Sequence, residues 1–256
     1  MKGESPRAVV TGAARGIGAA IASRLESDGF SVSRLDVGGG EDIIHCDVTD
    51  EASVLAAAEI VGPVDVLVNN AGIWRFGGLE DVSVADFRAV LDVNVIGPFI
   101  CARTFGRLML NRGAGSIINI VSIAAAHANV GVGGYSASKA GLLALTRTIA
   151  TEWGPRGIRC NAVGPGLVPT PGTGSVYDDG AVREARAGAV PLRRLGTPED
   201  IANMVSFFAG PDSGYVNGQV VYVDGGLSEA LMTMLPRPRS ITRPIRGDGP
   251  THEPMK

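Results

Sequence analysis

AVVTGAARGIG (residues 8–18) decides how the rest of the chain is read. An apolar run, Ala8 to Val10, leads into Gly12, then Gly16 and Gly18. Ile17, Ala20, Ile21, Ala22 and Leu25 follow at helical spacing and stop near Gly29. The pattern predicts a strand, a glycine turn and a helix over 16–28. Glycines let backbone come close to a pyrophosphate, and a helix N-terminus offers free N–H groups and positive dipole. A second apolar strand, Ser31 to Leu35, ends in Asp36. A carboxylate at that distance from the turn accepts hydrogen bonds from the ribose hydroxyls of NAD. The plain alternative is a solvated charge at a strand end.

Outward from this unit, strands are expected near 8–11, 31–36, 42–46, 64–69, 116–121, 158–163 and 219–223. Helical patterns fall between them, near 16–28, 50–60, 84–111, 135–153 and 198–209. The alternation predicts a Rossmann-type α/β fold, a doubly wound parallel sheet of about seven strands with helices on both faces. The chain has 256 residues, 45% of them hydrophobic, and 36 glycines, which suits one large core with many tight turns. Net charge is −3 with no basic block in the body, so nucleic acid is not an expected partner. Cys46, Cys101 and Cys160 lack metal-ligand spacing and read as small core residues; no metal is expected. The first residues, MKGESPRAVV, contain no hydrophobic signal stretch, and no apolar run reaches the ~20 residues that span a bilayer. A cytoplasmic protein is expected.

A second constellation carries chemistry. Tyr135 and Lys139 lie four apart in YSASK (135–139), so they face the same way on a helix, and Ser122 precedes them. An ammonium beside a phenol favours the phenolate, which otherwise forms near pH ~10. A serine reaching the same point would hold a substrate oxygen.

Taken in order, TGAARGIG (11–18), Asp36, CDVTD (46–50), NNAG (69–72), Asn94 in DVNVIG (92–97), NIVS (119–122), YSASK, NAVGPGLVPT (161–170) and VDGG (223–226) resemble the short-chain dehydrogenase/reductase family in its compact single-domain form. The resemblance runs from about residue 7 to about residue 226. It implies hydride transfer between a nicotinamide and a carbinol carbon. Tyr135 is then the general acid–base, Lys139 stabilises its phenolate and reaches the nicotinamide ribose, and Ser122 orients the substrate oxygen. Asn94 holds a water that links Lys139 to solvent, or else its amide ties two helices together. The implied cofactor contacts are Gly12, Arg15, Gly16, Ile17 and Gly18 at the pyrophosphate and Asp47 and Val48 at the adenine. Asn70, Ala71 and Gly72 lie beneath the cofactor, and Pro165, Gly166, Val168 and Thr170 at the nicotinamide amide. Arg15 could serve the 2′-phosphate of NADP, but Asp36 would repel it and residue 37 is Val, so NAD is the expected cofactor. Trp74, His127 and Val130 are candidate substrate contacts, with packing and a loop hydrogen bond as the alternatives for the first two. Segment 171–190 reads as a glycine-rich mobile lid.

Two stretches depart from the family pattern. VGGGEDIIHC (37–46) leaves no room for the helix that many relatives place there, so a turn or a very short helix is expected. A short connection of this kind, and AAAH (124–127), resemble the dihydrodiol dehydrogenase branch. Beyond the domain at 1–226, residues 227–256 form an extension that opens with the apolar LSEALMTML and continues rich in Pro and Arg. Packing of 227–245 on a neighbouring subunit is expected, with a floppy terminus as the alternative. Relatives form homodimers and homotetramers through segments corresponding to 84–111 and 135–153 and through the last strand. The leading reading is an NAD-dependent dehydrogenase acting on a small, mostly apolar secondary alcohol, alicyclic or diol. The alternatives are an NADPH-dependent 3-oxoacyl-thioester reductase and a non-catalytic dinucleotide-binding regulator.

Overall fold

The computed structural model describes residues 5–230. Seven strands form one sheet: β1 (Arg7–Thr11), β2 (Ser31–Asp36), β3 (Ile43–His45), β4 (Val66–Asn69), β5 (Gly115–Ile120), β6 (Ile158–Pro165) and β7 (Val220–Val223). Their order is β3-β2-β1-β4-β5-β6-β7, and every pairing is parallel. Chain order reverses between β1 and β4. A crevice opens at the carboxyl ends of strands at such a point.

Helices cover both faces because the strands alternate their apolar side chains. Ala8 and Val10 of β1 pack with α1 (Gly16–Ser27) and α8 (Pro198–Ala209). Val9 packs on the opposite side with α2 (Glu51–Val61), α4 (Gly97–Arg112) and α5 (Tyr135–Trp153). The buried positions of α5 are Ser138, Lys139, Leu142, Leu143, Thr146, Ile149 and Ala150, a single stripe at helical spacing. That stripe sets Ser138 and Lys139 inward at one end. Trp153 packs at the margin of this core. All three cysteines are buried thiols.

The seven expected strands are present, and the connection after Asp36 is a turn with no helix, closed by Ile43 N–H donating to Gly40 O at 3.2 Å. Two expectations are corrected. The single helix expected over 84–111 is α3 (Val84–Leu91), a π turn (Asp92–Ile96) and then α4. The lid segment is more ordered than its glycines suggest. It holds α6 (Gly174–Tyr177) and α7 (Gly180–Ala189), the latter capped by the Asp179 carboxylate accepting from Ala181 N–H at 2.8 Å. The expected docking of residues 227–245 lies mostly outside the described residues. Within them, Leu227–Glu229 make one short 3₁₀ turn and Ala230 is buried. Among the described residues no helix is long and apolar enough to cross a membrane.

Candidate active site

The glycine turn is held by the exit of β4. Thr11 Oγ1 accepts from Asn70 N–H and Ala71 N–H, both at 3.1 Å. The Asn70 amide donates back to Thr11 O at 3.0 Å and Gly12 O at 2.9 Å. So tight an approach requires glycine. A Cβ on Gly18 would lie 2.1 Å from Gly12 O, and Gly12 itself has φ +66°. No side chain caps α1, and Gly16, Ile17 and Gly18 at its start line a cavity. Asp36 is fixed at the rim of this turn: Oδ2 accepts from Ala14 N–H at 3.0 Å and Oδ1 from Gly38 N–H at 2.8 Å.

At the other end of the same crevice, β5 delivers Ser122 and the first turn of α5 delivers Tyr135 and Lys139. Ser122 Oγ accepts from Ala124 N–H at 3.1 Å and hydrogen-bonds the Tyr135 phenol. Lys139 is buried; its Nζ donates to Ile120 O at 2.9 Å and stands 5.7 Å from the centroid of the Tyr135 ring. Burial pushes the lysine down to about 8. Burial also pushes the phenol up, with the Ser122 hydrogen bond opposing. The simple expectation that the ammonium draws the phenol down is therefore corrected for the protein alone. Desolvation is the larger influence on both groups.

Asn94 sits in the π turn and is wholly buried. Its Oδ1 accepts from Ile73 N–H, and its Nδ2 donates to Ile73 O and to Ser138 Oγ, each at 2.9 Å. Both amide hydrogens are used within the protein, so the side chain acts as a tie between elements. Only a lone pair of Oδ1 remains to meet a water.

One cavity of about 410 Å³ joins the two ends. It is lined by Gly12, Arg15, Gly16, Ile17, Gly18, Asp36, Asp47, Val48, Asn70, Ala71 and Gly72 on the side of the glycine turn. Trp74, Ser122, Tyr135, Lys139, Pro165, Gly166, Val168 and Thr170 line the other. Asn94, His127 and Val130 do not line it. His127 is exposed, and Val130 is 96% exposed, so neither faces the cavity as the sequence suggested. Sequence reading missed Val37, Cys46, Ile73, Val93, Ile120, Val121 and Pro171 to Thr173. Most of these adjoin assigned residues, so extending each motif by one residue finds them. Val93 directly precedes Asn94, and the cavity is lined by this valine while Asn94 lies behind it. Burial pushes the Cys46 thiol up to about 11, which leaves it a poor nucleophile. Among the described residues no group of three or more His, Cys, Asp or Glu is placed to hold a metal ion.

A family model described as enoyl-(acyl carrier protein) reductase matches residues 12–228, which is most of the chain. The chain belongs to the short-chain dehydrogenase/reductase family. This short-chain dehydrogenase/reductase is 40% identical over 243 residues to the short-chain reductase protein NovJ of Streptomyces niveus, covering 86% of this chain and 92% of that one. It is 37% identical over 238 residues to D-threitol dehydrogenase of Mycolicibacterium smegmatis, covering 86% and 91%. Among solved structures, a gluconate 5-dehydrogenase from Burkholderia cenocepacia in complex with NADP and tartrate superposes with a TM-score of 0.84. That structure is 32% identical, with 88% of this chain and 96% of that one covered. This short-chain dehydrogenase/reductase is an NAD(P)-dependent oxidoreductase acting on CH–OH or carbonyl groups, not a non-catalytic regulator.

Proposed function

We propose that this enzyme is an NAD-dependent dehydrogenase that interconverts a small secondary alcohol, alicyclic or diol, and its ketone. The observation that carries the reading is the shared cavity: an anchored carboxylate, Asp36, at one end and Ser122, Tyr135 and Lys139 at the other. The bound dinucleotide supplies the hydride acceptor or donor. In oxidation Tyr135 Oη, as phenolate, takes the hydroxyl proton; in reduction, as phenol, it returns one. Ser122 Oγ orients the substrate oxygen beside it. Lys139 Nζ, held by Ile120 O, puts positive charge near the forming phenolate and lines the same cavity, where it would reach the nicotinamide ribose. Asn94 acts as a positioning residue. Trp74 supplies an apolar wall for the substrate.

NAD is favoured over NADP because Asp36 keeps both oxygens fixed by backbone N–H groups, with lone pairs left for ribose hydroxyls and a charge opposed to a 2′-phosphate. Residue 37 adds only an exposed valine to that side. A second reading, reduction of a 3-oxoacyl thioester with NADPH, draws on Arg15, which lines the same cavity as Asp36, and on the similarity to a 3-oxoacyl-[acyl-carrier-protein] reductase of Synechocystis, 36% identical over 242 residues. A cytoplasmic homodimer or homotetramer, with residues 227–245 on a neighbouring subunit, belongs to the same proposal. Ile96 and Phe99 near the start of α4, 45% and 44% exposed, support assembly. Comparing the full chain with a 1–226 truncation by light scattering tests it, and equal masses remove the tail from the interface.

The function is tested by following NADH absorbance with a panel of secondary alcohols, cyclohexanol and vicinal diols included, against NAD and NADP. Turnover with NAD and little with NADP is expected. A strong NADPH-dependent rate on a 3-oxoacyl thioester, with none on the alcohols, moves the assignment to the second reading.

A further inference from the structure

The sequence YSASK holds two serines besides its tyrosine and lysine, and the fold treats them differently. Ser138 has no exposed surface. Its Oγ stands 2.6 Å from Tyr135 O and 2.9 Å from Asn94 Nδ2. A carbonyl oxygen can only accept, so the single hydroxyl proton of Ser138 goes to Tyr135 O. Its lone pair is then what receives the Asn94 N–H. The other Asn94 hydrogen goes to Ile73 O, and Oδ1 receives Ile73 N–H. The result is a closed chain of donors and acceptors: Ile73, Asn94, Ser138, Tyr135. It joins the exit of β4, the π turn and the first turn of α5, and no donor in it is left over. Ser136, two residues away, is the contrast: its buried Oγ has no partner.

We propose that Ser138 is a positioning residue of the hydride-transfer reaction, locking the first turn of α5, and with it Tyr135 and Lys139, to the cavity wall at Ile73 through Asn94. The inference rests on the reading of Tyr135 as the acid–base. Both ends of the chain meet the cavity: Ile73 and Tyr135 line it, while Ser138 and Asn94 stand behind them. The π turn is what brings Asn94 to this point, since its wider winding shifts the residue relative to a straight helix running from α3 into α4. Loss of the Ser138 hydroxyl strands a buried Asn94 N–H and removes the tie of the first turn of α5 to the wall at Ile73, while the tie of Lys139 to Ile120 O remains. Proton transfer is sensitive to displacement of the reacting group on the ångström scale, so turnover is affected before binding.

The test compares Ser138→Ala, Ser138→Thr and Ser136→Ala with the parent, using NAD and cyclohexanol as probe substrate. Ser138→Ala should lower kcat by about 10- to 100-fold, the range a displacement of about 1 Å produces, while its NAD dissociation constant stays within about threefold. Ser138→Thr, which keeps the hydroxyl, should recover most of kcat, and Ser136→Ala should match the parent. If Ser138→Ala does not fold, Ser138→Cys replaces it, since the thiol keeps the volume but bonds weakly. Where turnover of the probe is too slow to measure, ultraviolet titration of Tyr135 in the NAD complex, with Tyr135→Phe subtracted, reads the same displacement. The Ser138→Ala titration should move to higher pH as contact with the Ser122 hydroxyl is lost. A kcat within twofold of the parent, a kcat loss matched by an equal loss of NAD affinity, or an unmoved titration overturns the proposal. Tyr135→Phe separates the two levels: an inactive Tyr135→Phe with a fully active Ser138→Ala defeats only this inference, whereas an active Tyr135→Phe defeats the acid–base assignment itself.

Discussion

The Lys139 ammonium stands 5.7 Å from the centroid of the Tyr135 ring and donates to the Ile120 carbonyl at 2.9 Å. The two groups are neighbours without a direct hydrogen bond. The lysine is held by the end of β5, so its charge is delivered to the site by the sheet rather than by the flexible end of its own side chain. Both groups resist ionisation in the protein alone, each for want of solvent.

Replacing Tyr135 with Phe keeps the ring and removes the proton-transfer atom. Turnover should fall by ~10²–10⁴-fold, the usual span of general acid–base catalysis, with NAD binding nearly unchanged. Steady-state kinetics alongside NAD titration measure both. Retention of more than about a tenth of the activity would remove Tyr135 from the role.

The pH dependence follows from the raised tyrosine. Oxidation needs the phenolate, so with hydride transfer limiting, its rate should climb with pH between about 6 and 9. Reduction needs the phenol and should run the opposite way as pH rises through the same ionisation. Single-turnover rates in both directions check the sign: with the phenol pushed up, reduction should stay level from about pH 6 to 9 and fall only above that range, and parallel profiles would count against a shared group.

Lys139→Met should stabilise the protein while abolishing turnover. The lysine sits at about 8 in the folded protein against 10.5 for the free group. Below pH 8 both states carry the proton, and the fold bears the full cost of a buried ammonium. Between about 8 and 10.5 the unfolded chain holds the extra proton, so the parent gains stability with rising pH. The gain is about 1.4 kcal/mol per pH unit, as linkage requires. The advantage of Lys139→Met in urea unfolding should therefore be largest near pH 7 and shrink by pH 10. A gap that does not change with pH would mean that Lys139 is not desolvated.

Asp36→Ala should weaken NAD and relax discrimination against NADP. Hydrogen bonds to a charged group contribute ~1.5–3 kcal/mol, so NAD affinity should fall by roughly 10- to 150-fold. Loss of the carboxylate also frees Ala14 and Gly38 N–H groups at the rim. Fluorescence titration of both cofactors decides it, and an unchanged NAD/NADP ratio would exclude Asp36 from the ribose.

Much of this fold is written in local pattern. The apolar runs of β1, β4, β5 and β6 end in Thr11-Gly12, Asn69-Asn70, Val121-Ser122 and Pro165-Gly166, so each strand announces both its burial and its functional end. The glycine turn is legible because the close approach of Gly18 to Gly12 O admits no other residue. The π turn is not. Asn94 shows only as a polar residue in an apolar helical stretch, and its reason is Ile73, twenty-one residues earlier. His127 and Val130 lie between Ser122 and Tyr135 in sequence, yet the loop turns them outward. The ionisation of Tyr135 and Lys139 is not legible for a similar reason: spacing gives proximity, but desolvation depends on everything packed around the pair. In the lid, Asp179 and the helix it caps outweigh the glycines that suggested a loop.

The turn after Asp36 also bears on how the molecule behaves in a crowd. By running straight from β2 into β3, the chain leaves an edge strand of only three residues, Ile43–His45, and the opposite edge, β7, has only four. An edge strand is a row of unused N–H and C=O groups on which a foreign strand can grow, and its hazard rises with its length. The longest strands, β6 with eight residues and β2 and β5 with six each, are enclosed between neighbours. Among the described residues the sheet thus tapers at both margins, which shortens the template it offers for aggregation and strand exchange.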